Sequence, residues 1–441
     1  MSLHYGLTPK MKPVSPRRAA IVAVLDIGTS KVVCLIARLR PHPPQNVLRR
    51  RSHGIEILGI GHTGSAGIKS GTVVNLGEAE EVVRHAVDLA ERSASVQLES
   101  VVLSVSAGRL ASELYAASIN IAGSTITDGD ISRVLAAGSR HSVREGRIAL
   151  HSMPIGYAID GVRGIGEPRG MLARQFAVDM HSVTADAAAM RNLMLVVERC
   201  HLSVETMVAA PYVAGLAVLA DDEADLGAAL IDMGAGTTTT AIFSGGRFIH
   251  ADSFAVGGLH VTMDLARGLN TRIAHAERIK TLYGSVLSGG SDERDMIAVP
   301  PVSDDEREPP QFVSRARLVR IIKPRVEEIL ELLRDRLAAS PFQAEPRAQI
   351  VLTGGACQLT GLAELAGRIL GRPVRIGRPL GVSGLPDAAK GPAFAVSTGL
   401  LVYPQTAHLE HFEPRRTRHL MTGTGTGYIA RVGRWLREGF G

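Results

Sequence analysis

LDIGTSKV (residues 25–32) and IDMGAGTTTT (residues 231–240) decide how this chain is read. Each sets an aspartate at the end of an apolar run, then glycines and hydroxyls in a short turn, then a second apolar run. AIVAVLDIG (20–28) leads into KVVCLIARLR (31–40), and DLGAALIDMGAGTTTTAIFSGGRF (225–248) repeats that theme. Two copies of strand, aspartate, glycine turn and strand signal an internal duplication. Glycine lets main-chain N–H groups approach phosphate oxygens closely, and a turn aims several of them at one point. Gly28, Gly234 and Gly236 are the candidate glycines; Thr29, Ser30, Thr237 and Thr238 add hydroxyl donors, and Lys31 adds positive charge. Asp26 and Asp232 are expected to face each other across a cleft and hold a hydrated Mg²⁺, an ion that keeps its waters.

Two further elements extend the pattern. LTGGACQLTGL (352–362) puts Gly354 and Gly355 between a strand and a helix, where backbone can lie flat beside an adenine. AERIK (276–280) places Glu277 and Lys280 three apart, on one face of a helix, suited to ribose hydroxyls and the base edge. One such turn commonly does no more than reverse the chain; four elements in one order point to a bound nucleotide.

Composition sets the frame. The chain has 441 residues, 45% apolar and 21% charged, enough for several packed domains. The net charge of +6 sits at the ends: residues 1–19 carry +4 and residues 406–441 carry +3, leaving the body near neutrality. That excludes a nucleic-acid-binding face on the body and favours an anionic partner at an end. Cys34, Cys200 and Cys357 lie far apart, without metal or disulfide spacing, as in a reducing cytoplasm. No stretch is long and apolar enough to span a bilayer, and no leader is expected. HLEH (408–411) lacks further ligands and is not read as a metal site. No nucleophile turn supports Ser-His-Asp chemistry.

Along the chain, residues 1–19 read as a disordered basic arm. A polar loop at 41–54 leads into the strand IEILGIGH (55–62), and 78–94 is a helix. Residues 99–183 read as a compact α+β insertion, with a helix start at Thr127 and Asp128. Residues 285–312 read as an exposed acidic, proline-rich loop. Residues 314–340 form a long amphipathic helix that Pro324 is expected to kink or divide. A closing helix over 391–403 precedes a linker over 404–427.

LDIGTSK, IDMGAGTT, LTGGACQLTGL and AFAVSTGL together resemble the actin-like ATPase superfamily. More narrowly, the chain resembles the FtsA family of bacterial cell-division proteins. The insertion after the first helix, the stretch FAVGGLHVTMDLA (254–266) and the terminal segment carry that narrower likeness, which covers about residues 20–441. It implies an α/β, actin-like (ribonuclease H-like, duplicated) two-lobed fold with an inserted α+β subdomain and a C-terminal amphipathic helix. The first lobe would comprise 20–98, 184–212 and 390–403; the SHS2-type insert 99–183; the second lobe 213–389, with an outer subdomain over about 255–342. The resemblance carries ATP and Mg²⁺ onto Asp26, Gly28, Thr29, Ser30, Lys31, Asp232, Gly234, Gly236, Thr237, Thr238, Glu277, Lys280, Gly354 and Gly355. Gly257 and Gly258 would begin the outer subdomain near the nucleotide. It further implies self-assembly into filaments, recruitment of later division proteins through the insert, and tethering of the tubulin-like FtsZ ring to the inner membrane at the septum. The acidic FtsZ tail would meet the arginine-rich edge of 314–340, with Arg325 the favoured contact. Brisk relatives place a Glu or Gln near the connecting segment to orient water; MVAAPYVAG (207–215) has Ala210 before Pro211 instead, so turnover is expected to be slow at most. The alternatives are another adaptor on this fold, of the PilM kind, and a sugar-kinase-like phosphotransferase, which needs a catalytic aspartate that does not stand out.

GYIARVGRWLREGFG (427–441) closes the chain after TGTGTG. On a helix, Tyr428, Ile429, Val432, Trp435, Leu436 and Phe440 fall within an arc of about 140°, opposite Arg431, Arg434 and Arg437. Aromatic anchors under a basic face suit an anionic membrane interface. The competing reading docks this segment on the protein's own body.

Overall fold

The structure, a computed structural model, describes residues 8–41, 48, 51–106, 109–139, 143–303, 309–344 and 348–412. The proposed membrane segment, with Tyr428, Ile429, Arg431, Val432, Arg434, Trp435, Leu436, Arg437 and Phe440, lies outside the described residues.

The duplication is real and extends beyond the two turns. In the first lobe, Ala20–Ile27 is central; Lys31–Pro41 and then His53–Gly64 run antiparallel on one side, and Ser100–Val105 and Ser203–Ala209 run parallel on the other. In the second lobe, Ala228–Met233 is central, flanked by Thr238–Ser244 and Arg247–Phe254 on one side and by Gln349–Thr353 and Val374–Ile376 on the other. Strand order and direction match position for position. The central strands are buried on both faces, so they read as unbroken apolar runs rather than alternating ones. The first sheet alone gains an edge strand, Val382–Ser383.

Two helices cross between the lobes, Ala210–Val218 and Ala395–Thr406. Every residue of the second is buried, and all of the first but Leu216. Helices buried on every side belong in a core, and these two, the second with Ser397, Thr398, Gln405 and Thr406 buried among its apolar residues, join the lobes into one body. Helix Ala395–Thr406 runs past the expected linker start, and Glu410 behind it is buried as well. The linker reading over 404–427 is therefore corrected for residues 404–412.

The arm is corrected too. Thr8 is buried and its hydroxyl donates to Ala149 O (2.9 Å), Lys10 donates to Leu150 O (2.5 Å), and Val14 N–H donates to Pro404 O (3.1 Å). Charge and prolines suggested disorder; carbonyls of the insert's strand at Ala149 and Leu150, and of Pro404, supply the partners that hold residues 8–14.

The insert holds a four-stranded antiparallel sheet in the order Ala111–Thr125, Leu172–Asp186, Arg147–Ile159, Val162–Ile165. Helix Asp128–Gly138 packs on it, started by a reciprocal Thr127–Asp130 cap. Phe176, Val178, Met180 and Val134 form its small separate core. Strand Ser100–Val105, read as the insert's opening, pairs instead inside the first-lobe sheet.

The outer subdomain comprises helices Gly258–Leu269, Ile273–Tyr283 and Arg315–Ala338 and the ribbon Met296–Val299 with Gln311–Ser314. The ribbon corrects the loop reading of 285–312: Ile297, Val299 and Val313 are buried against the helices. Pro324 neither ends nor divides Arg315–Ala338. Val319, Ile322, Val326, Ile329, Leu330 and Leu333 bury one stripe of that helix, and this burial outweighs the missing hydrogen bond.

Candidate functional site

The two glycine turns meet tip to tip between the lobes. Gly28 N–H donates to Lys31 O and Gly234 N–H donates to Thr237 O, both at 2.9 Å. Asp26 pairs with Val33 and Asp232 with Thr239, the same seven-residue offset in each hairpin. The turns are thus superposable copies. A Cβ on Gly236 would lie 2.4 Å from Thr29 Oγ1, so glycine is required where the second turn touches the first. The N–H groups of Thr29, Ser30, Ala235 and Gly236 form no hydrogen bond with the described residues. Four main-chain donors on two touching turns could form an anion cradle.

Asp26 and Asp232 end the two central strands beneath that cradle. Burial pushes the Asp26 carboxyl above its ordinary range, against the pull of a hydrogen bond from Ser104 Oγ (2.6 Å) and the charge of Lys31. Burial, then the charge of Asp26, pushes Asp232 up to about 7, with Lys31 opposing. Lys31 is held by burial below its ordinary value; its Nζ donates to Ala393 O (2.5 Å) and lies 3.7 Å from the centre of the Phe394 ring. Two carboxylates sharing one lysine leave net negative charge in a closed place, which suits a divalent cation. Among the described residues no group of three His, Cys, Asp or Glu side chains forms a full cage. Asp26 and Asp232 are thus two carboxylates that could reach a cation only through its water shell, as Mg²⁺ allows.

Gly354 closes the floor. Its φ is +88°, and a Cβ there would sit 2.4 Å from Asp232 Oδ1 and 2.5 Å from Met233 O. Gly355 has open space, its nearest neighbour being the Ala393 Cβ at 3.9 Å. Cys357 is a buried thiol donating to Gly354 O at 3.1 Å.

Several predicted residues serve the scaffold. Thr238 is fully buried and donates to Val256 O (2.7 Å), so its hydroxyl is already committed to the scaffold, while Thr237 keeps 9% exposure. Gly258 N–H donates to Gly234 O (2.9 Å), and a Cβ on Gly257 would strike that same oxygen at 2.5 Å. Gly257 and Gly258 thus seat the outer helix on the second turn. Glu277 accepts from Thr262 Oγ1 (2.5 Å) and pairs with Lys280 Nζ (2.7 Å), which also reaches Gly258 O (3.1 Å). That network ties Ile273–Tyr283 to the floor of the cleft while half of Glu277 stays exposed. Arg325 is gripped by Asp264 (2.6 Å) and by Glu328.

Ser104 and Gly71, whose N–H donates to Thr29 Oγ1 (3.1 Å), lie at the site and were not read from the sequence; Ala393 and Phe394 stand in AFAVSTGL but were given no site role there. Ser104 comes beside Asp26 through the parallel register Val24↔Val102, and no local pattern in ESVVLSVSAG announces that pairing. At the hinge, Ala210 starts its helix with no carboxylate. Instead the Ala209 N–H donates to His151 Nε2 (2.9 Å), so the imidazole proton sits on Nδ1 and is donated to Glu410 (2.8 Å).

The comparisons agree with this architecture. The family model described as "Cell division protein FtsA" matches residues 229–399, and the SHS2 domain inserted in FTSA matches 107–184. Cell division protein FtsA of Agrobacterium fabrum (strain C58) is 53% identical over 439 residues, covering 100% of this chain and 99% of its own. The protein of that name from Escherichia coli (strain K12) is 32% identical over 427 residues, covering 95% and 98%. Among solved structures, a PilM-PilN type IV pilus biogenesis complex aligns with TM-score 0.59 and 16% identity, covering 87% of this chain and 98% of that one. MreB5 of Spiroplasma citri bound to ADP aligns with TM-score 0.51 and 14% identity, covering 89% and 98%. At such identities these two speak for the actin-like fold alone. Full-length likeness at 53% identity, with one family model over the second lobe and the other over the insert, places the chain in the FtsA family of cell-division proteins.

Proposed function

We propose that this chain binds ATP with Mg²⁺ between its lobes, self-assembles, and tethers the FtsZ ring to the inner face of the cell membrane at the septum. The paired turns carry the reading: four unspent N–H groups lie over two aspartates that share one lysine. Thr29, Ser30, Ala235 and Gly236 would hold the phosphates by their main chain, and Thr237 by its hydroxyl. Gly354 and Gly355 would flank the base, with Glu277 and Lys280 at the ribose. When bound, Mg²⁺ supplies charge neutralisation to the phosphates; Asp26 and Asp232 orient its water shell. The hinge offers no carboxylate to activate water, so hydrolysis is slow and the nucleotide acts as a switch. That MreB5, which shares this fold, is bound to ADP in one structure and to AMPPNP in another supports a nucleotide as ligand.

The insert would recruit later division proteins. The edge of Arg315–Ala338 would receive the acidic FtsZ tail, a partner carboxylate taking the place of Glu328 on Arg325. Residues 428–440 would lie in the anionic membrane surface.

Calorimetry of ATP with Mg²⁺, beside co-sedimentation of the full chain and of a chain ending at Phe412 with anionic vesicles, tests the two halves separately. ATP should bind both chains, and vesicles only the full one. Equal sedimentation of both would remove the tether; absent ATP binding would remove the site.

A further inference from the structure

A second cavity, of about 980 Å³, opens where both lobes, the insert, the N-terminal arm and the last described residues come together. Its wall is largely apolar, including Met153, Leu216, Leu219, Phe243, Phe248 and Val402. Its two arginines are already committed to main-chain oxygens: Arg51 to Leu380 (2.6 Å) and Leu216 (2.9 Å), and Arg247 to Ile155. Asp221 and Ala224 of the helix Asp221–Leu226, sequence DDEADL, line one side of the cavity; Glu223 is paired with Arg375, while Asp222 and Asp225 on the same helix are exposed and Leu226 is 76% exposed.

The C-terminal segment builds this lip. His408 and Leu409 line the cavity. Directly after them Glu410 is locked to His151 and Tyr403, and His411 N–H donates to Ser152 O (2.8 Å). The chain is therefore pinned at the cavity mouth, with residues 413–441 still to come. A 15-residue spacer has an r.m.s. reach of about 20 Å, enough to turn back. Wound as a helix, residues 428–440 would carry an apolar face with aromatic anchors and three arginines, complementary to an apolar cavity beside the exposed Asp222 and Asp225.

We infer that residues 428–440 seat their apolar face, Trp435 foremost, in this cavity when no membrane is present, with Arg431, Arg434 and Arg437 over the helix Asp221–Leu226. The inference rests on reading the segment as the membrane anchor and adds an intramolecular competitor for it. Seating hides the anchor, so the apparent affinity for lipid falls by the fraction of anchors free.

Trp435 is the only tryptophan in the chain, so its fluorescence reports the seat directly. In the full chain without vesicles, emission should be blue-shifted and poorly quenched by acrylamide, independent of protein concentration. Leu409→Asp at the lip and Asp222→Lys on that helix, both at exposed positions, should each red-shift emission and restore quenching. If nine in ten anchors are seated, they should also raise affinity for anionic vesicles about tenfold. Water-exposed emission from the unaltered chain overturns the inference, and if that chain still binds vesicles the anchor reading stands without it. A buried Trp435 that neither substitution releases, or one buried only at high protein concentration as between two copies, overturns it as well. Seating without vesicle binding by any variant would sink the anchor reading instead.

Discussion

At the residue scale, Asp232 makes the cleft sensitive to pH. Its carboxyl titrates near 7 in the folded chain, against about 3.9 for a free aspartate. Between those values the folded state binds more protons than the unfolded one, so this group costs stability progressively as pH rises from about 4 to 7. Asp232→Asn should therefore raise the Tm of the nucleotide-free protein at pH 8, by about 1–2 kcal/mol of stability, and leave it little changed at pH 4. The same substitution should weaken ATP–Mg²⁺ binding tenfold or more in calorimetry, about 1.4 kcal/mol. A lower Tm at pH 8 would contradict the burial cost. Gly354 answers to sterics instead. With φ at +88° and Asp232 Oδ1 in the path of any Cβ, Gly354→Ala should cost about 2–3 kcal/mol in denaturant unfolding, whereas Gly355→Ala, in open space, should cost far less.

At the element scale, helix Arg315–Ala338 carries a correctable defect. Pro324 donates no hydrogen bond and crowds the carbonyl of Arg320, yet the buried stripe around it keeps the helix whole. Pro324→Ala restores the donor without touching the stripe, and should raise Tm with a gain of about 1–2 kcal/mol. An unchanged or lower Tm would mean that the proline sets a bend the outer subdomain needs. Arg325 one residue on bridges this helix to Gly258–Leu269 through Asp264, so its loss would loosen the subdomain as well as any partner contact.

At the scale of the whole molecule, the ends are what tie the parts together. Residues 8–14 and 404–412 converge on the insert strand Arg147–Ile159, and the buried His151–Glu410 bond links that strand to the hinge at Ala209. Burial pushes the Glu410 carboxyl up, but His151, Lys10 and the Tyr403 hydroxyl together hold it below its ordinary range. It contributes stability above the unfolded carboxyl value, lost as pH falls through the lowered one. Glu410→Ala strands the His151 proton and should cost about 2–3 kcal/mol in thermal or denaturant unfolding. A chain ended after Phe412 should lose only the seat of its last segment, about 1.4 kcal/mol at nine in ten seated, while one ended after Thr406 should fall further, by about the cost of Glu410→Ala. Identical melting of all of them would mean the strap is not structural.

The residue order alone determined the duplicated lobes, because a β-hairpin turn is local: aspartate, glycine and hydroxyls within seven residues specify both its shape and its donors. Asp26, Asp232 and Gly236 were legible for that reason, Gly354 as part of a glycine pair between strand and helix, and Thr127 as a helix start. Ser104, Ala393 and His151 were not, since each meets its partner through strand register or helix crossing between segments tens to hundreds of residues apart. The fate of the ends was likewise a tertiary decision. Prolines and like charges at 8–18 and polar residues at 404–412 look unstructured in isolation. The insert strand offers them hydrogen-bonding groups and a buried histidine that only the folded body brings together, and that compensates the entropy of ordering them.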